Sequence, residues 1–203
     1  MFIITADQVD SRHLDDLAGP TIDVLNQRYG NRLALPVDRN AGDEIQALVS
    51  DAGTALAIIA DLTRTGEWSV GCGIGRVRTP LPGNTREASG PGFVAARGAV
   101  ERAKKTQLRF ALVGESQDAA AAEALIELLL LVRSRRTPEG WELFDLVASG
   151  STQAAAAKAL GISPQAASQR ARAAGIRTEL AAIPALADAL SRVDVTDEQN
   201  GKP

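Results

Sequence analysis

The chain is short of the residues that most often carry chemistry: its 203 residues include one cysteine, one histidine and one tyrosine, and aromatic residues make up only 3%. A lone cysteine, Cys72, excludes an internal disulfide framework and fits a reducing compartment. It stands between Gly71 and Gly73 in an apolar run, which reads as a small buried hydrophobe rather than a reactive thiol. His13 lies in the polar stretch 10–16, where exposure is expected, and no Ser-His-Asp partners are placed around it. A strong excess of one charge is also absent. With 22 Lys and Arg against 25 Asp and Glu the net charge is −3, so a uniformly basic, histone-like binder is excluded. No apolar run is long enough to span a bilayer, since the best candidate, residues 119–132, contains Glu123 and Glu127. The opening Met-Phe-Ile-Ile-Thr-Ala-Asp lacks the basic region and long apolar core of a secretion signal, and a cytoplasmic location is expected.

What is present is enough apolar sequence, 45%, for one medium domain and a small one. Residues 2–6 form a short β-branched run that reads as a strand ending at Asp7. A helix is expected over 15–29, then strands over 33–37 and 44–49 around the polar turn 38–43. A helix over 54–63, a glycine-interrupted strand over 68–77, a loop over 83–92, a helix from Pro91 through Lys105 and a strand over 107–113 complete this part. The order β-α-β-β-α-β-α-β predicts an α+β domain over 1–114, a sheet with helices on one face. Gly71-Cys-Gly-Ile-Gly75 imitates a dinucleotide fingerprint only superficially, because it lies inside a strand and its third glycine comes too early.

The rest reads as helical. A connecting helix, expected over 117–136 within the segment 115–137, carries a leucine block at 125–132 suited either to burial or to a dimer interface. Arg133, Arg135 and Arg136 at its end are expected to complement the helix dipole. Thr137-Pro138-Glu139 begins a supporting helix through Ala148, with Trp141, Phe144 and Val147 as its packing face. A terminal helix over 179–193 and a frayed polar tail over 194–203 are expected within the segment 178–203.

Between these, within the segment 138–177, the stretch from Thr152 to Arg172 has the pattern of a helix-turn-helix. Ala157 is small enough for two helices to cross closely, and Gly161, four residues on, can take the positive φ of a tight turn. Ser163 and Pro164 then suit the cap and first turn of a second helix. In that helix Ala167, Ala171 and Ala174 recur on one side, while Gln165, Ser168, Gln169 and Arg172 recur on the other at i, i+3, i+4 and i+7. Gln can pair with an adenine edge, Arg with guanine and Ser with several acceptors, all in the major groove of double-stranded DNA. From Ser151 to Arg177 the only charged residues are Lys158, Arg170, Arg172 and Arg177, an excess that suits a phosphate backbone. The expected DNA contacts are Thr152, Gln153, Lys158, Ser163, Gln165, Ser168, Gln169, Arg170 and Arg172. An alanine-rich hairpin that merely packs on its own domain or on a second subunit is the competing interpretation.

Several motifs carry a family resemblance: Ile4-Thr-Ala-Asp7-Gln-Val-Asp10-Ser11-Arg12, Ala41-Gly42-Asp43-Glu44-Ile45-Gln46, Gly71-Cys-Gly73-Ile-Gly75, Gly90-Pro91-Gly92-Phe93-Val-Ala-Ala96-Arg97 and the terminal helix-turn-helix. In their order and spacing the chain resembles the SatD family of bacterial proteins over most of its length. That resemblance implies a DNA-binding, stress-linked regulator. The N-terminal part is more distantly similar to class III nucleotidyl cyclase and GGDEF-type domains, in which two acids at adjacent strand ends hold paired divalent metals and a nucleoside triphosphate. The matching positions here are Asp7, Asp43 and Glu44, and the implied ion is magnesium. Ala41 stands where that pattern has glycine and Ile45 where it has phenylalanine, and no counterpart of the base-reading residues is found.

Three functions follow as expectations. The first is a dimeric, sequence-specific transcriptional regulator whose N-terminal domain senses a ligand or organises assembly. The second is a metal-dependent, nucleotide-binding or nucleotide-processing enzyme with a DNA-targeting tail, and the third an oligomeric assembly protein.

Overall fold

The computed structural model describes residues 1–194, which contain a five-stranded mixed sheet and eight α-helices. It divides into two compact units, one of residues 1–127 with residues 186–194, the other of residues 128–185. Among the described residues no helix is long and apolar enough to cross a membrane.

The first unit is built on strands β1 (Phe2–Gln8), β2 (Leu33–Ala41), β3 (Glu44–Val49), β4 (Trp68–Ile74) and β5 (Phe110–Val113). Their spatial order is β2-β3-β1-β4-β5. Strand β1 lies antiparallel between β3 and β4, β2 and β3 form a hairpin, and β5 joins β4 in parallel. Helices α1 (Ala18–Tyr29), α2 (Ala52–Leu62) and α3 (Pro91–Ala103) alternate with the strands in the order read from the sequence. Asp51 caps α2 by accepting from the Thr54 N–H at 2.7 Å, and Pro91 occupies the first turn of α3.

Gly71 and Gly73 explain how α3 docks. A Cβ on Gly71 would lie 2.2 Å from the Val100 backbone nitrogen, and one on Gly73 would lie 2.2 Å from that of Ala96. Helix and strand therefore touch backbone to backbone, with Ala96, Ala99, Val100 and Ala103 buried in the contact. The glycines in this strand serve packing.

The expected cover on one face is corrected. Along β1, β3 and β4 the residues of both faces are buried: Ile3, Leu48 and Gly73 on the side of α3, and Phe2, Ile4, Ala6, Val70, Cys72 and Ile74 on the other. Nearly continuous apolar runs, rather than alternation, are the sequence mark of a doubly covered sheet. The boundaries shift as well. Strand β2 continues through Ala41 instead of ending at Val37, because β-bulges between Leu35 and Asp38 and between Arg39 and Ala41 keep its polar end paired with β3. The turn shrinks to Gly42, at φ +57°, and Asp43. Strand β5 begins at Phe110, after a turn in which Arg109 has φ +50°.

In the second unit lie α5 (Pro138–Ala148), α6 (Gln153–Ala159) and α7 (Pro164–Ala173), with the end of α4 (Ala119–Ser134) and the start of α8 (Ile176–Ser191). Their core is Leu143, Ala156, Ala157, Ala167, Ala171, Ala174 and Ile176. The packing face of α5 is therefore centred on Leu143, with Phe144 and Val147 only partly buried beside it. Trp141 is half-buried against arginines instead. Helix α8 starts at Ile176, three residues earlier than expected, because Gly175 ends α7 at φ +65° and leaves the chain free to turn straight into the next helix. Of the tail expected to fray, only Asp194 is among the described residues.

Candidate nucleic-acid interface

One local grammar builds α5, α6 and α7. Thr137, Thr152 and Ser163 sit in extended conformation, and each hydroxyl oxygen accepts a backbone N–H of its helix's first turn, from Gly140, Ala155 and Ala166 at 3.2, 3.1 and 3.1 Å. At the other ends Gly150 and Gly161 take φ +98° and +64°. Gly161 N–H donates to the Lys158 carbonyl and Ile162 N–H to that of Ala157, at 3.2 and 3.0 Å, the paired bonds of a Schellman ending. One residue, Ile162, separates that glycine from the next cap, so α6 and α7 are joined by a short turn closed by these two hydrogen bonds.

The two sides of α7 differ sharply. Ala167 and Ala171 are buried, and Ala174, its C-cap, is buried with them. Gln165, Ser168, Gln169 and Arg172 are all exposed. Thr152, Lys158 and Ser163 are exposed as well, although the Thr152 and Ser163 oxygens are engaged as caps. Gln153 and Arg170 are half-buried, and Arg170 Nη1 lies 3.8 Å from Glu142 Oε2 of α5. Of the nine expected contacts, Arg170 is thus the one whose charge is partly spent within the protein.

Sequence reasoning missed the arrangement that holds these helices. Arg133 and Arg136 are buried rather than solvated at the end of α4. Both reach Glu179 of α8: Arg133 Nη1 donates to Oε1, and Arg136 Nη2 donates to Oε2 at 2.5 Å. Arg136 also donates from Nε and Nη2 to the Ala174 carbonyl, at 3.2 and 2.9 Å. It therefore caps α7, not its own helix, while Arg135 stays exposed. Trp141 and Phe144 pack edge to face, with ring centroids 5.4 Å apart. The guanidinium carbons of Arg133 and Arg136 lie 4.7 and 4.4 Å from the Trp141 ring. Such contacts stabilise a cation withdrawn from water. One signal was available: Glu179 is the only acid between Asp145 and Asp188.

The acidic residues of the first unit are placed differently from the expectation. Glu44, not Asp43, stands opposite Asp7 across β1 and β3, and Asp43 sits at the turn. Lys104 Nζ lies 2.9 Å from Asp7 Oδ2 and 2.8 Å from Glu101 Oε1. Burial works against the Lys104 charge, but hydrogen bonds to Glu101 and Asp7 outweigh it and raise its pKa. Glu44 is buried, accepts from Asn40 Nδ2, and has Arg97 Nη1 at 3.8 Å. Arg39 pairs with Asp16 at 2.6 Å and lowers that carboxyl's pKa. Among the described residues no three His, Cys, Asp or Glu side chains come together as metal ligands. The two acids that face each other, Asp7 and Glu44, each have a cation beside them, the Lys104 ammonium at 2.9 Å and the Arg97 guanidinium at 3.8 Å.

Comparisons with protein-family models, with curated proteins and with solved structures find no match to this chain.

Proposed function

We propose that this protein is a sequence-specific, double-stranded-DNA-binding regulator of the SatD type, in which α6 and α7 form a helix-turn-helix and α7 reads the major groove. The observation that carries this reading is the exposed stripe Gln165, Ser168, Gln169 and Arg172, backed by the buried alanines of the same helix. Short polar side chains and one guanidinium on a helix with a small-residue back are what direct readout requires. Lys158, Arg172 and Arg177 are exposed around it, and no acid lies between Ser151 and Thr178, so the local field suits phosphates although the whole chain is acidic.

The N-terminal domain has the strand order β4-β1-β3-β2 in its first four strands, which supports a ferredoxin-like, cyclase-related sheet. Its acids are already held by Lys104 and Arg97, which favours a role in assembly over nucleotide chemistry. Helix α4 supports a dimer through an exposed apolar stripe, Leu125, Leu128 and Val132, which are 43, 59 and 43% accessible. Two reading helices about one DNA turn apart, roughly 34 to 36 Å, would then address paired half-sites.

Fluorescence anisotropy with duplex DNA tests the reading. Wild-type protein is expected to prefer particular sequences, and the double substitution Gln169→Ala, Arg172→Ala to abolish that preference while the fold persists by circular dichroism. Unchanged preference in the double variant overturns it.

A further inference from the structure

Beside the reading stripe the second unit has an open depression of about 250 Å³. It is lined by Gln153 at the start of α6, Ser168 and Arg172 of α7, Gly175 at the turn, and Arg177 and Thr178 of α8. Two guanidinium groups, an amide and two hydroxyls line this concavity, and no carboxylate does. Among the described residues neither Arg172 nor Arg177 makes an ion pair, and both are exposed. The nearest acid along the chain, Glu179, is buried beneath Arg133 and Arg136 and so does not neutralise them.

We infer that this depression is a phosphodiester seat and that Arg177, a residue outside the helix-turn-helix pattern, is its principal new ligand. The inference rests on the DNA-binding reading and extends it to α8. A phosphate monoanion has acceptor oxygens on several sides, and the residues here can meet it with guanidinium N–H groups, the Gln153 amide N–H and the Ser168 and Thr178 hydroxyls, with no carboxylate to repel it. A metal ion would call for carboxylates, and two guanidinium groups without a counter-charge call for an anion, so backbone phosphate is the chemistry that fits a DNA-binding unit. Ser168 and Arg172 border both the stripe and the depression. A phosphate seated here therefore sets how far α7 enters the groove, as phosphate contacts do when they position a reading element.

The experiment is a salt titration of duplex binding by the full chain, comparing wild type with Arg177→Ala, Arg177→Lys and, as a control distant in sequence, Arg192→Ala. Loss of one phosphate contact per bound copy is expected to reduce the slope of log K against log salt by about 0.9. Between about 50 and 200 mM salt, the weakening of Arg177→Ala is then roughly 3.5-fold smaller than that of wild type for each chain bound, or about 12-fold smaller for a dimer. Sequence preference is expected to persist, since the contact carries no base information, and Arg177→Lys and Arg192→Ala are expected to keep the wild-type slope. Competition by inorganic phosphate at millimolar concentration separates the two sources of the anion: relief of binding only by polyphosphate or nucleic acid supports the backbone seat. Relief by free phosphate alone overturns it. A wild-type chain that binds no duplex contradicts the DNA reading itself, whereas wild-type binding with an unchanged slope in Arg177→Ala contradicts this inference only.

Discussion

Arg136 donates from a single nitrogen, Nη2, to both the Ala174 carbonyl at 2.9 Å and the Glu179 carboxylate at 2.5 Å. One guanidinium thereby ties the end of α7 to the first turn of α8. The side chains of Arg133, Arg136 and Glu179 are 7, 0 and 1% accessible, so two cations and one anion are held out of water together. Attraction inside a protein offsets desolvation only where hydrogen bonds are well made; here the Ala174 carbonyl and the aromatic faces add to what one carboxylate supplies, and Arg136 Nη1 is left without a hydrogen bond among the described residues. The arrangement fixes where the candidate reading helix ends.

Removing the carboxylate should therefore be costly. Glu179→Ala removes the carboxylate that two buried guanidinium groups share, and a loss of about 3 to 5 kcal/mol in unfolding free energy is expected from urea titration. Replacing the whole set with apolar residues, Arg133→Met, Arg136→Met and Glu179→Leu, should recover much of that stability, because no charge is then stranded. A Glu179→Ala variant as stable as wild type would show that the three side chains are solvated in solution.

Gly71 and Gly73 make a second, purely steric prediction. At either position an alanine methyl would meet the backbone of α3, 2.2 Å away, and neither α3 nor β4 can yield without disturbing the sheet. Overpacking of this kind costs at least about 1 to 3 kcal/mol, and more where backbone must move. Gly71→Ala and Gly73→Ala should each lower the midpoint of thermal unfolding, whereas Gly98→Ala, in the middle of the same helix with open space at its Cβ, should raise it slightly. Equal effects at all three glycines would rule out the close approach.

Cys72 gives a dependence on pH. Burial pushes its thiol from 9.0 up to about 12, so between those values the unfolded chain loses a proton that the folded chain keeps. The folded state binds more protons across that interval, and stability must fall as pH rises through it. The contribution is fully present below about pH 9 and is lost towards pH 12. Urea titrations at stepped alkaline pH should show a steeper decline for wild type than for Cys72→Ala. Parallel curves would place the thiol in water, as would its prompt reaction with a thiol reagent at neutral pH.

What the sequence discloses here is mostly local. The caps Thr152 and Ser163, the turn at Gly161 and the small back of α7 are short-range chemistry, and each is found where its residue type implies. The order of strands and helices in the first unit is legible for the same reason, since each apolar run is bounded by polar or glycine-rich turns. Long-range pairing is what escapes. The polar end of β2 is strand only because β3 lies beside it, Asp7 meets a lysine from beyond the end of α3, and Arg133 finds its partner 46 residues away. Periodicity carries no information about such partners. The same holds for the acids of the first unit: Asp7, Asp43 and Glu44 fall at suggestive positions along the chain, yet cations from α3 and the turn after it hold two of them.

The most direct measurement is selection of bound fragments from sheared genomic DNA by the full chain, run in parallel for wild type and for Gln169→Ala with Arg172→Ala. The expected result is that wild type enriches fragments sharing a short motif, with half-sites spaced by about one helical turn, and that the double variant enriches none. No common motif with wild type, or the same motif with the double variant, would contradict the assignment of α7 as the element that reads DNA.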